Sequence, residues 1–181
     1  AQACAEGSIN INPPSVTTFC TEDPSIQIEA FPLGGVFLGE GVDSMGLFDP
    51  STVAVPADSS SIMIDVVYKV SEIVGCPPTL DTLTLEVQAR TAPPLVQCGN
   101  NTISTIEFIL THPLVNTYEL TYSINGGAFV TESFTGMSFI LDGLEANDMV
   151  ELTAMALDIN GCGNSDIAVS YTHLTLPTNG C

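Results

Sequence analysis

The stretch Val74–Cys98, VGCPPTLDTLTLEVQARTAPPLVQC, carries the organisation of the whole chain. Gly75-Cys76 and Pro77-Pro78 open it. Leu83, Leu85 and Val87 then alternate with Thr82, Thr84, Glu86 and Gln88. Strict period-two alternation is the mark of a strand with one buried face, because successive side chains point to opposite sides. Pro93-Pro94 and Cys98 close the stretch. It therefore reads as the last strand of one β-domain, a stiff joint and the entrance to another.

Working outward, the same period governs both flanks. Upstream, Ile26, Ile28 and Ala30 share a face, as do Ile62, Ile64, Val66, Tyr68 and Val70. Turn residues separate these runs: Asp23-Pro24, Pro32 with Gly34-Gly35, and Phe48-Asp49-Pro50. Downstream, Ile106, Phe108 and Leu110 alternate, followed by Tyr118, Leu120, Tyr122 and Ile124 ahead of the hairpin turn Asn125-Gly126-Gly127. A returning strand is expected over Ala128–Thr131, then Phe139 and Leu141, then Val150, Leu152, Ala154 and Ala156, and a last strand over Ile167–Tyr171. No segment has a helical period. The fold class is all-β: two tandem antiparallel β-sandwiches, each with one disulfide. The expected boundaries are an extended linking segment over 1–15, sandwiches over 16–90 and 91–171, and a tail over 172–181.

Length supports this division, since 181 residues suit two sandwiches better than one. Lys69 and Arg90 are the only Lys and Arg against 21 acidic residues, a net charge of −19. Such a surface repels phosphate backbones and excludes nucleic acid as a partner. The apolar run Ile62–Val70 is broken by Asp65 and Lys69, so no membrane insertion is expected. With no basic, apolar leader at the start, Ala1 reads as a mature N-terminus or a cut.

The six cysteines, Cys4, Cys20, Cys76, Cys98, Cys162 and Cys181, are spaced alternately short and long. No C-x-x-C pair occurs, which argues against a zinc or redox motif. Each long interval spans one domain's strands, so the simplest pairing is Cys20–Cys76 and Cys98–Cys162, each bridge contributing roughly 4 kcal/mol. Bridges imply an oxidising, extracellular setting. Cys4 and Cys181 are left for neighbouring repeats or subunits; joining them to each other would require the ends to meet.

Specific motifs add to this reading. Cys20, Asp23-Pro24, FPLGGVFLGEGV, LFDPST and Gly75-Cys76 follow one another in an order that resembles the immunoglobulin-like repeat of very long secreted surface proteins of gliding bacteria. The second half is similar to a bacterial fibronectin type III domain, with Leu110 where that family usually has a core Trp. The resemblance implies a secreted module of a bacterial cell-surface adhesin or filament, partnered by neighbouring copies of itself and by an adhesion target the sequence does not name. The segment Ala1–Val16 is the expected linking strand. The rival expectation is an accessory module of a secreted enzyme that binds carbohydrate or protein. Val169–Thr178, VSYTHLTLPT, looks like a translated sequencing-library adapter, which implies a metagenomic origin and places Cys181 in doubtful sequence.

Reacting groups are scarce. Only His112 and His173 could supply an imidazole, and no G-x-S-x-G, H-E-x-x-H or phosphate loop is present. The chain is expected not to be an enzyme and to need no cofactor. The one metal expectation is a weak calcium site from Asp158, Asn160, Asn164 and Asp166 in the loop DINGCGNSD, with Asp142, Glu145 and Asp148 as a second acidic cluster.

Overall fold

The computed structural model describes residues 9–70 and 80–173. The chain divides into two compact units, Ala1–Ala89 and Arg90–Cys181.

The first unit contains β1 (Asn10–Asn12), β2 (Thr18–Cys20), β3 (Ile26–Gln27), β4 (Glu29–Phe31), β5 (Val36–Leu38), β6 (Leu47–Phe48), β7 (Ser61–Lys69) and β8 (Leu80–Gln88). One sheet has the order β2-β8-β7-β5; two short pairs, β1-β4 and β3-β6, complete the sandwich. The pattern expected for β7 is present: Ile64, Val66 and Tyr68 are buried, whereas Met63 is 62% exposed. Leu85 and Val87 of β8 face the same core, which Ile28 of the β3–β4 segment and Phe48 join. Phe19 meets Phe48 edge to face at a centroid distance of 5.4 Å.

Two features depart from the expectation. β2 runs parallel to β8, so this sheet is not purely antiparallel. The segment expected to be a free linking strand is also partly incorporated into the domain. Asn10–Asn12 pairs with Glu29–Phe31, Ile11 is 4% exposed, and its N–H donates to the Asp81 carboxylate at 2.6 Å. The cause is local: Ile9 and Ile11 alternate with Asn10 and Asn12, and that short apolar face is worth about 2 kcal/mol per buried Ile. The rest of the segment, residues 1–8, lies outside the described residues.

The glycine-rich stretch has a steric role. Gly41 sits at φ +74°, and a Cβ there would meet Val53 at 2.6 Å and Phe48 at 2.9 Å. At Gly35 a Cβ would lie 2.5 Å from the Tyr68 ring. That close approach lets the Tyr68 hydroxyl donate to the Pro32 carbonyl at 2.6 Å and accept the Gly35 N–H at 2.8 Å.

The second unit contains β9 (Leu95–Cys98), β10 (Ile106–Thr111), β11 (Thr117–Ile124), β12 (Val130–Thr135), β13 (Ser138–Leu141), β14 (Met149–Ala156) and β15 (Ala168–His173). Sheets β13-β10-β9 and β12-β11-β14-β15 enclose its core. Ile106, Phe108, Leu110, Tyr118, Leu120, Val150, Leu152, Ala154 and Ala156 are all fully buried. Leu110 points into this core, and Phe139 is contacted by Tyr122 and Phe134. Val169–His173 of the adapter-like stretch pairs with β14 from Thr153 to Met149; the remainder, from 174, lies outside the described residues.

Removing the hydroxyl in Tyr68→Phe leaves the Pro32 carbonyl and the Gly35 N–H without their partner. The expected outcome is a loss of about 1–3 kcal/mol in the first unit, read by denaturant unfolding. An unchanged midpoint would mean that the clamp contributes nothing.

Candidate functional site

Four places have enough local chemistry to be considered: a groove in the first unit, the β14–β15 loop, the His112 turn and the cysteines.

The groove lies along β4 and the Pro32–Gly35 loop and has a volume of about 560 Å³. Ile28, Ala30, Phe37 and Tyr68 line it, and the Tyr68 clamp holds the loop that forms one wall. Phe31, Leu33 and Met45, which also line it, are 64%, 88% and 79% exposed. Among the described residues β4 has a strand partner only in β1, and β5 only in β7. The groove is therefore apolar and bordered by edge strands, along which the Ile28 N–H already donates to the Gly46 carbonyl at 2.8 Å and the Phe37 N–H to the Ser44 carbonyl at 3.2 Å. Sequence reasoning treated FPLGGVF as a turn and missed it. The available signal was the presence of three large apolar residues, Phe31, Leu33 and Met45, beside turn glycines where burial does not require them.

In the β14–β15 loop the four calcium candidates do not converge as a ligand set. Asp158 Oδ1 accepts the N–H of Asn160 at 3.0 Å and of Gly161 at 2.9 Å, while Asn160 Oδ1 accepts the Cys162 N–H at 3.1 Å. Asn164 Oδ1 accepts the Asp158 N–H at 2.8 Å, and Asp166 forms an ion pair with Arg90 at 3.2 Å. Among the described residues no group of three or more His, Cys, Asp or Glu is placed to hold a metal. The physical reason is that Asp and Asn oxygens cap turn N–H groups as readily as they bind cations, and this loop uses them as caps. The second cluster behaves alike: Asp148 accepts the Glu145 N–H at 2.8 Å and the Asn125 amide at 2.7 Å.

His112, the sole imidazole candidate outside the adapter-like stretch, is also a cap. Its Nδ1 accepts the N–H groups of Leu114 and Val115, both at 3.1 Å, so its proton resides on Nε2, which is buried. Burial pushes the imidazole below its ordinary value, partly offset by the Ala92 backbone.

Cys20, Cys98 and Cys162 are disulfide-bonded, and no cysteine among the described residues is free. Cys4, Cys76 and Cys181 lie outside the described residues, and with them the expected Cys20–Cys76 bridge. The expected Cys98–Cys162 bridge is corrected by strand register. Cys98 sits opposite Phe108, beside the hairpin that leads into Ile106, whereas Leu95 marks the other end of β9 opposite Thr111. Cys162 belongs to the loop after Ala156, which pairs with Tyr118 at that other end. Register thus sets Cys98 at the Phe108 level and starts the Cys162 loop from the opposite end of the strands. Spacing along the chain counts strands but does not say at which end of a sandwich a cysteine emerges.

No family model and no curated protein matches the sequence. Among solved structures the chain is similar to the fn3 domain of the human collagen alpha-1(XX) chain, at 20% identity over 51% of this chain and 92% of that one, with a TM-score of 0.42. It is also similar to a structure of titin domains, at 15% identity over 92% and 66% with a TM-score of 0.43. A third likeness is to a domain of Drosophila Lar, at 15% identity over 47% and 97% with a TM-score of 0.38. The all-β fold itself rests on the strand registers above. The bonded cysteines fit an extracellular type of domain. Among the described residues no helix is long and apolar enough to cross a membrane.

The His112 turn sets a pH dependence. The folded chain resists the proton that the unfolded chain binds, so the stability is present above about pH 6.5 and is lost as the pH falls toward the depressed folded value. Asp148 and Asp158, held low chiefly by the backbone N–H groups of Glu145 and Asn160 respectively, add a second loss as the pH falls through the carboxylate range. Melting curves of the whole chain against pH should show both steps. His112→Gln should flatten the upper one alone; an unchanged profile in that variant would refute the assignment.

Proposed function

We propose that this chain is an extracellular structural module, a segment of a surface adhesin or filament of the long repetitive kind that gliding bacteria export. Its action is mechanical. Two sandwiches with disulfide-bonded cysteines resist unfolding and hold a distal end away from the cell. Neighbouring copies join through strand contacts, an extended segment of one copy adding to the open edge of the next.

The observation that supports this reading best is the groove beside β4, apolar in its floor and, among the described residues, bordered by strands with no strand partner beyond β1 and β7. Main-chain hydrogen bonds to such an edge give affinity with little demand on side-chain identity. A net charge of −19 opposes contact between copies at low ionic strength, so association should strengthen as salt screens it.

A second reading has the same groove in its favour: an accessory module of a secreted enzyme that grips an extended peptide. The apolar lining, with Phe31 as its exposed aromatic, favours protein over polysaccharide.

Negative-stain imaging and light scattering across an ionic-strength series separate the two. The expected outcome is end-to-end association that grows with salt and is lost in a Leu33→Lys, Met45→Lys double variant. A chain that stays monomeric at every salt concentration and melts higher only with added peptide would establish the second reading instead.

A further inference from the structure

We propose that Asn160 is a self-modifying residue, its carboxamide converting through a succinimide to aspartate or isoaspartate within the folded second unit. The chemistry belongs to any Asn-Gly sequence. The main-chain nitrogen of the glycine attacks Cγ of the asparagine, and the absence of a glycine Cβ leaves that approach open. The particular claim is that this loop assembles both kinds of assistance the reaction uses.

The first is a base. Gly161 N–H, the group that must lose its proton to become a nucleophile, donates to Asp158 Oδ1 at 2.9 Å. An aspartate carboxyl in its ordinary range is ionised at neutral pH, so Oδ1 can accept that proton. The second is an oxyanion donor. As nitrogen adds to Cγ, negative charge develops on Oδ1 of Asn160, and that atom already accepts the Cys162 N–H at 3.1 Å. Gly161 lies at φ +89°, and a Cβ there would meet nothing within 4 Å, so water can reach the ring that forms.

The step balances. The Gly161 nitrogen forms a bond to Cγ as its proton passes to Asp158. The Cγ–Nδ2 bond then breaks, and the departing nitrogen takes that proton and leaves as ammonia. Water opens the cyclic imide at either carbonyl, giving aspartate or isoaspartate. Nothing is oxidised or reduced.

The same fold contains a contrasting Asn-Gly pair. Asn125-Gly126 forms the β11–β12 turn, where Asn125 Nδ2 donates to Asp148 at 2.7 Å and Oδ1 accepts the Met149 N–H at 2.9 Å. Both ends of that carboxamide are clamped to residues more than 20 positions away rather than folded over the following peptide. Among the described residues no carboxylate accepts the Gly126 N–H.

Ageing the whole folded chain at neutral pH, followed by peptide mapping with isoaspartate detection, tests the proposal. The expected result is a gain of about 1 Da at Asn160 that runs at least about tenfold ahead of Asn125. Asp158→Asn keeps an oxygen able to cap the loop but removes the base, and should slow conversion about tenfold or more. Asn160→Gln should abolish the product at that position without changing the circular dichroism. Equal rates at Asn160 and Asn125, or a rate at Asn160 no faster in the folded chain than in denaturant, would overturn the proposal. So would an Asp158→Asn variant that is folded by circular dichroism and converts as fast as the parent.

Discussion

Everything in the first unit depends on alternate side chains of one long strand, β7, being pressed into the same core as Phe48. Val66, Phe48, Leu85 and Val87 have no exposed surface, and Tyr68 adds a hydroxyl that reaches beyond the core to the Pro32–Gly35 loop. A slip of one residue by either strand in the β7–β8 register would send that strand's core residues, Val66 and Tyr68 or Leu85 and Val87, to solvent. That penalty is why nine consecutive pairs, Ser61↔Gln88 to Lys69↔Leu80, stay aligned. The second unit repeats the device with β11 and β14, where Tyr118 and Leu120 sit opposite Ala156 and Ala154. Large residues on one strand meet small ones on its neighbour, which lets two sheets pack at native density without strain.

The same constraint explains what could be read from the sequence. β10 and β14 each bury one complete face, and β7, β8 and β11 bury part of one, so period two is explicit in their residues. Strands that bury little leave a weak trace. β12, from Val130 to Thr135, is mostly exposed, so its existence depends on pairing with β11 rather than on its own pattern. β1 and β2 contribute single anchors, Ile11 and Phe19, and three-residue strands with one anchor each look like linker. The parallel pairing of β2 with β8 is a tertiary choice, since one buried Phe does not report strand direction. The groove was hidden for a related reason: it is made by what β4 and β5 do not pair with, and local residues do not reveal that.

Site residues were legible as positions but not as roles. Asp158, Asn160, Asn164 and Asp166 were correctly singled out as a concentration of oxygen atoms. Sequence could not show that three of those side chains turn inward to the loop's own N–H groups and that the fourth turns to Arg90. His112 was legible only as one of two imidazoles, and its Nδ1 completes a turn by accepting two N–H groups.

These cases share a cause that gives the acidic composition a structural meaning. A sandwich with short strands has many loop N–H groups, and each needs an acceptor. Cys20 N–H is met by Asp23 at 2.8 Å, Met45 and Leu47 N–H by Asp43 at 2.9 Å, and Ser51 N–H by Asp49 at 3.0 Å. Asp148 and Asp158 continue the series in the second unit. A carboxylate accepting a main-chain N–H makes a stronger bond than a neutral acceptor does, and one aspartate can hold two successive amides of a turn. Much of the acidity is thus folded into the loops as caps. A chain that ties its turns this way accumulates negative charge without gathering it into a metal site. In such a loop, a carboxylate that steadies a turn also sits against the amide nitrogen of the next residue, so structural support and the chemistry at Asn160 draw on the same oxygen.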